Sequence, residues 1–371
     1  MLPTEVLGCL REAVEGTYAL GSELGGGGMS RVFRATEIAT GQQVVIKLLP
    51  PDLAADISLA RFKREIDVAG RMQHPNIVPM LTSGEASGLP WFAMPFIDGE
   101  SLRERLSTHG SMSIADARHI LRDMASALAY AHRRGVVHRD IKPENVLLSD
   151  TVAMIVDFGV AKALMSADDN PTEDVGPKLT TRRIALGTPT YMSPEQASGD
   201  PRVGTRADIY AWGIVGYELL AGRTPFEGRS LHGQLRAHVK EAPVPLSVYR
   251  PNAPAYLSDL IMRCLAKSPV DRPQLAESIV EALDEGIRAT PVAPLEAHDV
   301  GLARSHAPEP TIALNVAVMQ PMNRAAPIVS AGGTAGLSMP SSVVPPARSA
   351  TAIILGFVAV AVLAALVLIL R

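Results

Sequence analysis

The chain has 371 residues, a formal net charge of −3 and two cysteines. This length accommodates one large domain or two moderate ones. The near balance of charge argues against a nucleic-acid partner, and two distant cysteines, Cys9 and Cys264, exclude a zinc site or a disulfide framework. We therefore expect a protein of a reducing compartment.

The first third of the chain has the pattern of a short helix followed by a small antiparallel sheet. Residues 4–15 carry apolar side chains at helical spacing, and a second amphipathic helix is expected over 58–72. Strands are predicted over 18–24, 31–38, 44–49, 77–83 and 90–97.

From Leu102 onward the pattern changes to long amphipathic helices. They are expected over 113–134, 205–222 and about 254–287. The chain therefore divides into a β-rich part and an α-rich part, and a cleft between two such lobes is a usual place for a ligand.

The composition changes again near the end of the chain. Residues 288–349 are rich in proline, alanine, serine and glycine, which is typical of a flexible linker. Residues 350–370 are apolar except for Thr351. About twenty such residues span a bilayer as a helix, so we expect one transmembrane helix there, with a buried core helix as the alternative.

A run of glycines, Gly25 to Gly28, joins the first two predicted strands. Glycine lets backbone N–H groups approach phosphate oxygens closely. A turn from strand to strand excludes the phosphate loop of P-loop proteins, which runs from a strand into a helix. By itself such a run is equally typical of a plain flexible turn.

A lysine, Lys47, follows Val44-Val45-Ile46 in the third predicted strand. Alone it would be read as a solvated edge residue. Its position after the glycine run, and the presence of Glu65 on the next helix as a partner for its ammonium group, favour a role at a phosphate.

The densest cluster of polar residues runs from His138 to Asn145 and is followed by Asp157-Phe158-Gly159. The apolar runs between them predict a hairpin that brings Asp140, Asn145 and Asp157 to one end of a sheet. Carboxylate and amide oxygens suit Mg²⁺, and a second carboxylate could orient a hydroxyl nucleophile. Buried polar residues with a purely structural role do not account for the whole cluster.

These motifs, in this order, resemble the protein kinase superfamily, and more closely the bacterial serine/threonine kinases of eukaryotic type, over roughly residues 18–285. The resemblance implies an α+β, two-lobed protein-kinase-like fold over 18–287, with a small β-rich lobe over about 18–97 and a larger α-rich lobe over about 98–287. A short helix or leader would occupy 1–17. ATP with Mg²⁺ or Mn²⁺ would be the cofactors, and protein Ser/Thr hydroxyls the substrates.

For catalysis, the resemblance implies that Asp140 accepts or orients the proton of the substrate hydroxyl. Lys142 would steady the transferring phosphoryl group, and Asn145 and Asp157 would bind Mg²⁺. A membrane-tethered pseudokinase that acts as a binding scaffold is the alternative, and the intact catalytic residues argue against it.

For the nucleotide, the resemblance implies that Lys47 holds the α- and β-phosphates of ATP and pairs with Glu65, and that Met94 stands at the gatekeeper position. ATP contacts are implied at Leu24, Gly25, Gly26, Gly27, Gly28, Val32, Val45, Met94, Pro95 and Ile97. Pro95 departs from the family pattern, but its carbonyl can still accept a hydrogen bond.

Further matches to the family pattern are structural. Ser193-Pro194-Glu195 replaces Ala-Pro-Glu, and Arg272 is placed to pair with Glu195. Asp208 would anchor the backbone of the catalytic loop. The segment from Gly187 to Tyr191 resembles the substrate-docking segment of serine/threonine kinases.

We also predict autophosphorylation at Thr180 or Thr181, with the phosphate docking on Arg139 by charge-assisted bonds. Solvated loop threonines are the alternative. The final apolar segment would place the kinase domain at the cytoplasmic face of the inner or plasma membrane, as a single-pass protein in the lipid bilayer. Small residues four apart in that segment are compatible with a homodimer.

Overall fold

The computed structural model describes residues 3–25, 30–49, 59–158 and 189–289. A five-stranded antiparallel sheet in the order β1-β2-β3-β5-β4 forms the first lobe. Its strands are β1 Tyr18–Gly25, β2 Arg31–Glu37, β3 Gln43–Leu48, β4 Thr82–Ala86 and β5 Leu89–Pro95.

The two faces of this sheet are covered by different helices. Helix α1, Pro3–Val14, buries Val6, Leu10 and Val14 against one face, in a cluster that includes Trp91 of β5. Helix α2, Leu59–Gly70, belongs to the main core of the molecule. Strand β5 is therefore covered on both faces, which agrees with its continuous burial from Leu89 to Met94.

One strand differs from the sequence-based prediction. The strand expected over 77–83 begins only at Thr82, and Ile77 instead forms an isolated parallel bridge with Ile155. Pro79 lacks the N–H that a continuous strand ladder needs, which explains the later start. The bridge attaches the sheet lobe to the helical lobe.

The second lobe is helical, with a small three-stranded sheet, β6-β7-β8, on it. The strands are Glu100–Ser101, Val146–Ser149 and Val152–Ile155. The helices, in chain order α3 to α10, are Leu102–His109, Ile114–Arg133, Pro194–Ala197, Thr205–Ala221, Leu231–Lys240, Leu246–Tyr249, Ala255–Cys264 and Ala276–Ala289. In the described part of this lobe, short 3₁₀ turns lie at Pro143–Asn145, Pro189–Tyr191 and Pro269–Asp271.

Helix α6 lies at the centre of this lobe. Its residues from Ala207 to Leu220 are all buried, because the helix is apolar on every side and packs against several others. Gly213 allows the close approach of α9, since a Cβ there would lie 2.9 Å from Cβ of Cys264. A helix held this rigidly can position charged residues for the catalytic loop.

Within the described residues, no helix is both long enough and apolar enough to cross a membrane. The transmembrane helix predicted over 350–370 lies outside them, as does the linker prediction beyond residue 289.

Candidate active site

A buried carboxylate on α6, Asp208, holds the catalytic loop. It accepts hydrogen bonds from the backbone N–H groups of His138 at 2.9 Å and Arg139 at 2.7 Å, and Nε2 of His132 lies 2.8 Å from it. Burial alone would raise the pKa of Asp208, but the hydrogen bond and charge of His132 outweigh it and lower that pKa. The carboxylate therefore stays ionised and fixes the loop backbone.

Two polar side chains of the loop converge on the carboxylate of Asp140. Nζ of Lys142 lies 2.7 Å from Oδ2 of Asp140. Nδ2 of Asn145 donates to the backbone carbonyl of Asp140 at 2.8 Å and to its Oδ2 at 3.0 Å. The 3₁₀ turn Pro143–Asn145 creates this convergence by folding the loop back on itself. A half-exposed carboxylate held this way can receive a hydrogen bond from an incoming hydroxyl.

A second charged centre joins the two lobes. Nζ of Lys47, on β3, lies 2.7 Å from Oδ2 of Asp157. The pairing of Lys47 with Glu65 that the family resemblance implies stays a prediction. The contact is a charge-assisted hydrogen bond, because the ammonium group donates to a carboxylate of opposite charge.

The charge of Glu65 influences the pKa of Arg139. Burial lowers the pKa of Arg139, and the negative charges of Asp208 and Glu65 oppose that shift. Nη2 of Arg139 donates to the carbonyl of Val203 at 3.2 Å, and its backbone has a φ of 67°. Arg139 is therefore a partly buried cation within the catalytic loop.

The donor set fits a hard divalent cation. Oδ1 of Asp157 is buried and has no hydrogen-bond partner among the described residues. A buried carboxylate oxygen without a donor is costly unless a ligand completes it, and oxygen donors are those that Mg²⁺ prefers. The part of the chain that the structure describes has no cluster of three or more His, Cys, Asp or Glu. Such an ion would therefore depend on Asp157, the amide oxygen of Asn145 and oxygens from phosphate or water.

An apolar wall, formed by a cluster of hydrophobic side chains, lies between the lobes, and four residues named from sequence belong to it. Val32, Val45, Met94 and Ile97 share a cluster with residues from β7 and β8. Pro95 is half-buried at the end of β5, Leu24 is exposed and Gly25 has a φ of 143°. Gly26, Gly27 and Gly28 lie outside the described residues.

The residues on the other side of this wall are not predicted from the sequence. The cluster also contains Val78, Phe96, Leu147, Met154 and Val156. Leu147 stands two residues after Asn145 on β7, and strand alternation could have placed it on the same side as that residue. The contribution of Val78 comes from a loop, where no periodic pattern marks it.

His138 connects this wall to the catalytic loop. Its Nε2 lies 2.8 Å from the carbonyl of Val156, and its ring meets that of Phe158 edge to face with centroids 4.7 Å apart. Asp157 stands between these two partners, in a left-handed conformation with φ 65°. The orientation of Asp157 is therefore determined by the packing of Val156 and Phe158 against His138.

The segment after the catalytic loop is fixed by a buried ion pair. Nη1 and Nη2 of Arg272 bind the two carboxylate oxygens of Glu195 at 2.8 and 2.9 Å, in the pairing that the sequence pattern indicates. Nε2 of Gln196 donates to the backbone carbonyl of Arg139 at 2.8 Å. Residues 159–188, which include Thr180 and Thr181, lie outside the described residues.

Comparisons with known proteins agree with this geometry. The family model described as "Protein kinase domain" matches residues 18–283. The chain is 39% identical over 265 residues to the serine/threonine-protein kinase PknB of Mycobacterium tuberculosis, covering 70% of this chain and 41% of that protein. It is 38% identical over 290 residues to a serine/threonine-protein kinase of Myxococcus xanthus, covering 75% and 52% respectively. The chain thus spans about half or less of the length of these curated relatives.

A solved structure supports the same assignment. The kinase domain of Mycobacterium tuberculosis PknI superposes with a TM-score of 0.57 at 28% identity, covering 73% of this chain and 96% of that one. The family model alone extends over far more than half of the chain. The chain therefore belongs to the protein kinase family.

Proposed function

We propose that this protein is an active, Mg·ATP-dependent kinase that transfers the γ-phosphoryl group of ATP to serine or threonine hydroxyls of proteins. The observation that carries the proposal is the convergence of Lys142 and Asn145 on Asp140, together with the ion pair between Lys47 and Asp157. A scaffold that only binds partners has no need of this arrangement.

The chain's own residues account for the main requirements of the transfer. Asp140 accepts a hydrogen bond from the substrate hydroxyl, so that its oxygen lone pair is directed toward the γ-phosphorus. The ammonium of Lys142 offsets the charge on the transferring phosphoryl oxygens, and that of Lys47 holds the nucleotide phosphates. Mg²⁺, when held by Asn145 and Asp157, neutralises charge on those phosphates. Catalysis is then mostly positioning and electrostatics.

Transfer of radiolabelled phosphate from ATP to a general serine substrate such as casein tests this proposal. The wild-type chain should label the substrate, and Asp140→Asn should reduce labelling by at least about a hundredfold, because general-base residues contribute roughly that much. Equal labelling by both proteins, or none by either, would contradict the assignment. A pseudokinase scaffold corresponds to the second of these results.

We further propose that residues 350–370 anchor the protein in the plasma membrane, with the kinase domain on the cytoplasmic side, where ATP is available. Support comes from the uniformly apolar sequence of that segment. Fractionation of cells that express the full chain or residues 1–349 tests this proposal. The full chain should sediment with membranes and the shorter chain should not; a full chain found wholly in the soluble fraction would refute the anchor.

We propose, finally, that Thr180 or Thr181 is autophosphorylated and that the phosphate is bound by Arg139. Nε of Arg139 is buried and has no hydrogen-bond partner among the described residues, so a phosphate oxygen could satisfy it. Phosphopeptide mapping after incubation with Mg·ATP should find phosphate on one of these threonines. Phosphate found only outside residues 166–184 would overturn this part of the proposal.

A further inference from the structure

Arg103 on α3 is held by side chains from three other elements. Its Nε donates to Oε1 of Glu144 at 2.9 Å, and its Nη1 donates to Oε1 of Glu218 at 2.8 Å. Its Nη2 donates to the hydroxyl of Tyr191, which in turn donates to Oε2 of Glu218 at 2.5 Å. A surface arginine seldom has three partners from distant parts of the chain, because each must be positioned by the fold.

The partners of Arg103 all belong to elements that build the active site. Glu144 stands between Lys142 and Asn145 in the 3₁₀ turn of the catalytic loop. Glu218 is on α6, the helix that carries the loop anchor Asp208. The third partner is the last residue of the 3₁₀ turn Pro189–Tyr191, in the segment that resembles the family's substrate-docking segment.

The carboxylates of Glu144 and Glu218 flank the guanidinium of Arg103, and we call the partly exposed space between them the acidic pocket. The side chain of Glu144 is 46% exposed, that of Arg103 is 32% exposed and that of Glu218 is 9% exposed. A carboxylate as enclosed as Glu218 requires a cationic or hydrogen-bonding partner. The chain supplies that cation itself, from a position that solvent reaches.

Arg103 remains charged in this setting. Burial tends to lower its pKa, but the hydrogen bond to Glu218, together with the charges of Tyr191 and Glu218 and the bond to Glu144, outweighs burial and raises it. The guanidinium of Arg103 therefore offsets one of the two negative charges of the pocket and donates a hydrogen bond to each carboxylate. A guanidinium or ammonium group of a substrate would find the two carboxylates already paired.

We propose that Arg103 is a specificity-determining residue, which occupies the acidic pocket of Glu144 and Glu218 from within the chain and thereby prevents selection of substrates by a basic residue near the acceptor hydroxyl. Discrimination is a difference between affinities, and a pocket that is filled in advance removes the favourable term for basic substrates. This inference rests on the proposed kinase function. It adds to that function a statement about substrates: the active site does not favour peptides with a basic residue near the acceptor hydroxyl.

The inference is tested with a series of serine peptides. Each peptide carries a single arginine at one position before or after the acceptor serine, and the reference peptide has alanine at that position. The quantity measured is the ratio of kcat/KM for the arginine peptide to that for the alanine peptide. In the wild-type protein this ratio should stay within about twofold at every position. In Arg103→Met and Arg103→Gln it should rise about tenfold at one or two positions, as a charge-assisted pair with the freed carboxylates forms.

Two further variants separate specificity from a general structural effect. Arg103→Lys keeps a cation in the pocket and should keep the wild-type ratios. Arg105→Gln removes a neighbouring arginine of α3 that pairs with Glu100 instead, and its ratios should match those of the wild type. A role limited to bracing the fold would lower kcat/KM equally for all peptides and leave the ratios unchanged.

The outcomes are distinct. A wild-type preference of tenfold or more for arginine at any scanned position would overturn the inference, even if the neutral variants failed to fold. Unchanged ratios in both neutral variants would also overturn it, and would leave the proposed function intact as long as the wild-type protein phosphorylates the alanine peptide. Absence of phosphorylation of every peptide by the wild-type protein would overturn the proposed function itself.

Discussion

At the scale of single residues, Asp208 shows how a charge buried in one helix determines the shape of a distant loop. Two backbone N–H groups and the ring of His132 point at its carboxylate. An amide side chain of the same shape has one acceptor oxygen in place of two, and its NH₂ would face a donor. The loop that carries Asp140 therefore depends on a residue that takes no part in the reaction.

Asp208→Asn should lower the free energy of unfolding by about 3–5 kcal/mol near pH 7, because it leaves buried donors without a charged acceptor. The pKa of Asp208 lies below its ordinary value of 3.8, so its stabilising contribution is present above about pH 4 and is lost as the pH falls through the folded-state value. Urea unfolding at several pH values should show the difference between the two proteins shrinking in acid. Asp259→Asn, at an exposed site on α9, is the control and should change little.

His238 provides a second, independent pH dependence. Burial first, and then the charge of Lys267, lower its pKa from 6.5 to about 3, while Arg229 contributes in the same direction. Its Nδ1 lies 3.0 Å from the hydroxyl of Tyr210, inside an aromatic cluster with Phe226. The folded protein therefore keeps this imidazole neutral in a pH range where the unfolded chain protonates it.

The sign of this effect follows from proton linkage. Stability contributed by the neutral imidazole is fully present above about pH 6.5 and falls as the pH decreases toward 3, by up to about 1.4 kcal/mol per pH unit. His238→Gln should flatten this part of the curve of unfolding free energy against pH. His232→Gln, which changes an exposed histidine of α7, should leave the slope as in the wild type; an unchanged slope in His238→Gln would show that other groups cause it.

At the scale of elements, α1 is the feature that the kinase family model does not include, since that model begins at residue 18. The helix nevertheless contributes three buried residues to the core beneath it, with Leu10 and Val14 almost wholly enclosed. It covers an apolar sheet face that would otherwise be open to water.

Leu10→Ala should destabilise the protein by about 2–5 kcal/mol, because it removes apolar contacts and leaves a cavity against the sheet. Equilibrium denaturant unfolding measures the loss. Glu12→Ala, on the exposed side of the same helix, should stay within about 0.5 kcal/mol of the wild type. Similar values for the two variants would mean that α1 does not pack stably on the sheet.

Elements with strong periodicity can be predicted from the sequence. The helix expected over 4–15 is observed at Pro3–Val14, and the one over 113–134 at Ile114–Arg133. Helix α3 is not among the predicted helices, because eight residues are too few to show a clear helical periodicity. Ser101 and Glu104 nevertheless form a capping box at its start, which is a sequence signal for a helix. The local sequence pattern also predicts too early a start for β4, because Pro79 interrupts the expected strand and β4 begins only at Thr82.

The chemistry of the site can be predicted from the sequence for a different reason. Asp140, Lys142 and Asn145 lie close in sequence, so a short turn suffices to bring them together. The contact of Lys47 with Asp157 cannot be derived in the same way, because the two residues are far apart in sequence and meet only through the arrangement of the two lobes in space. The partners of Arg103 are equally remote along the chain.

At the scale of the whole molecule, the Lys47–Asp157 pair joins the sheet lobe to the helical lobe at the proposed nucleotide site. A ligand that contacts both residues should therefore stabilise both lobes together. By mass action, a ligand present at about a hundred times its Kd adds about 2.7 kcal/mol to the free energy of unfolding.

Mg·ATP should accordingly raise the melting temperature of the wild-type protein, and Asp157→Asn should lose most of that increase because it removes a charged oxygen ligand. Thermal unfolding with ATP and Mg²⁺, and with ATP plus a chelator, measures the effect. The exposed-site variant Asp259→Asn should respond as the wild type does. An equal increase in Asp157→Asn would show that this carboxylate does not contribute to metal-dependent binding.

The distance along the chain between α1 and its partner Trp91 has a consequence for synthesis. A helix of 12 residues is only marginally stable alone in water, and its partner Trp91 is made much later. At roughly 5–20 residues per second, the ribosome leaves the apolar stripe of α1 without its sheet for some seconds. We therefore expect the N-terminal helix to dock late during translation, and variants that weaken its docking to aggregate as nascent chains before they lose any activity as folded protein.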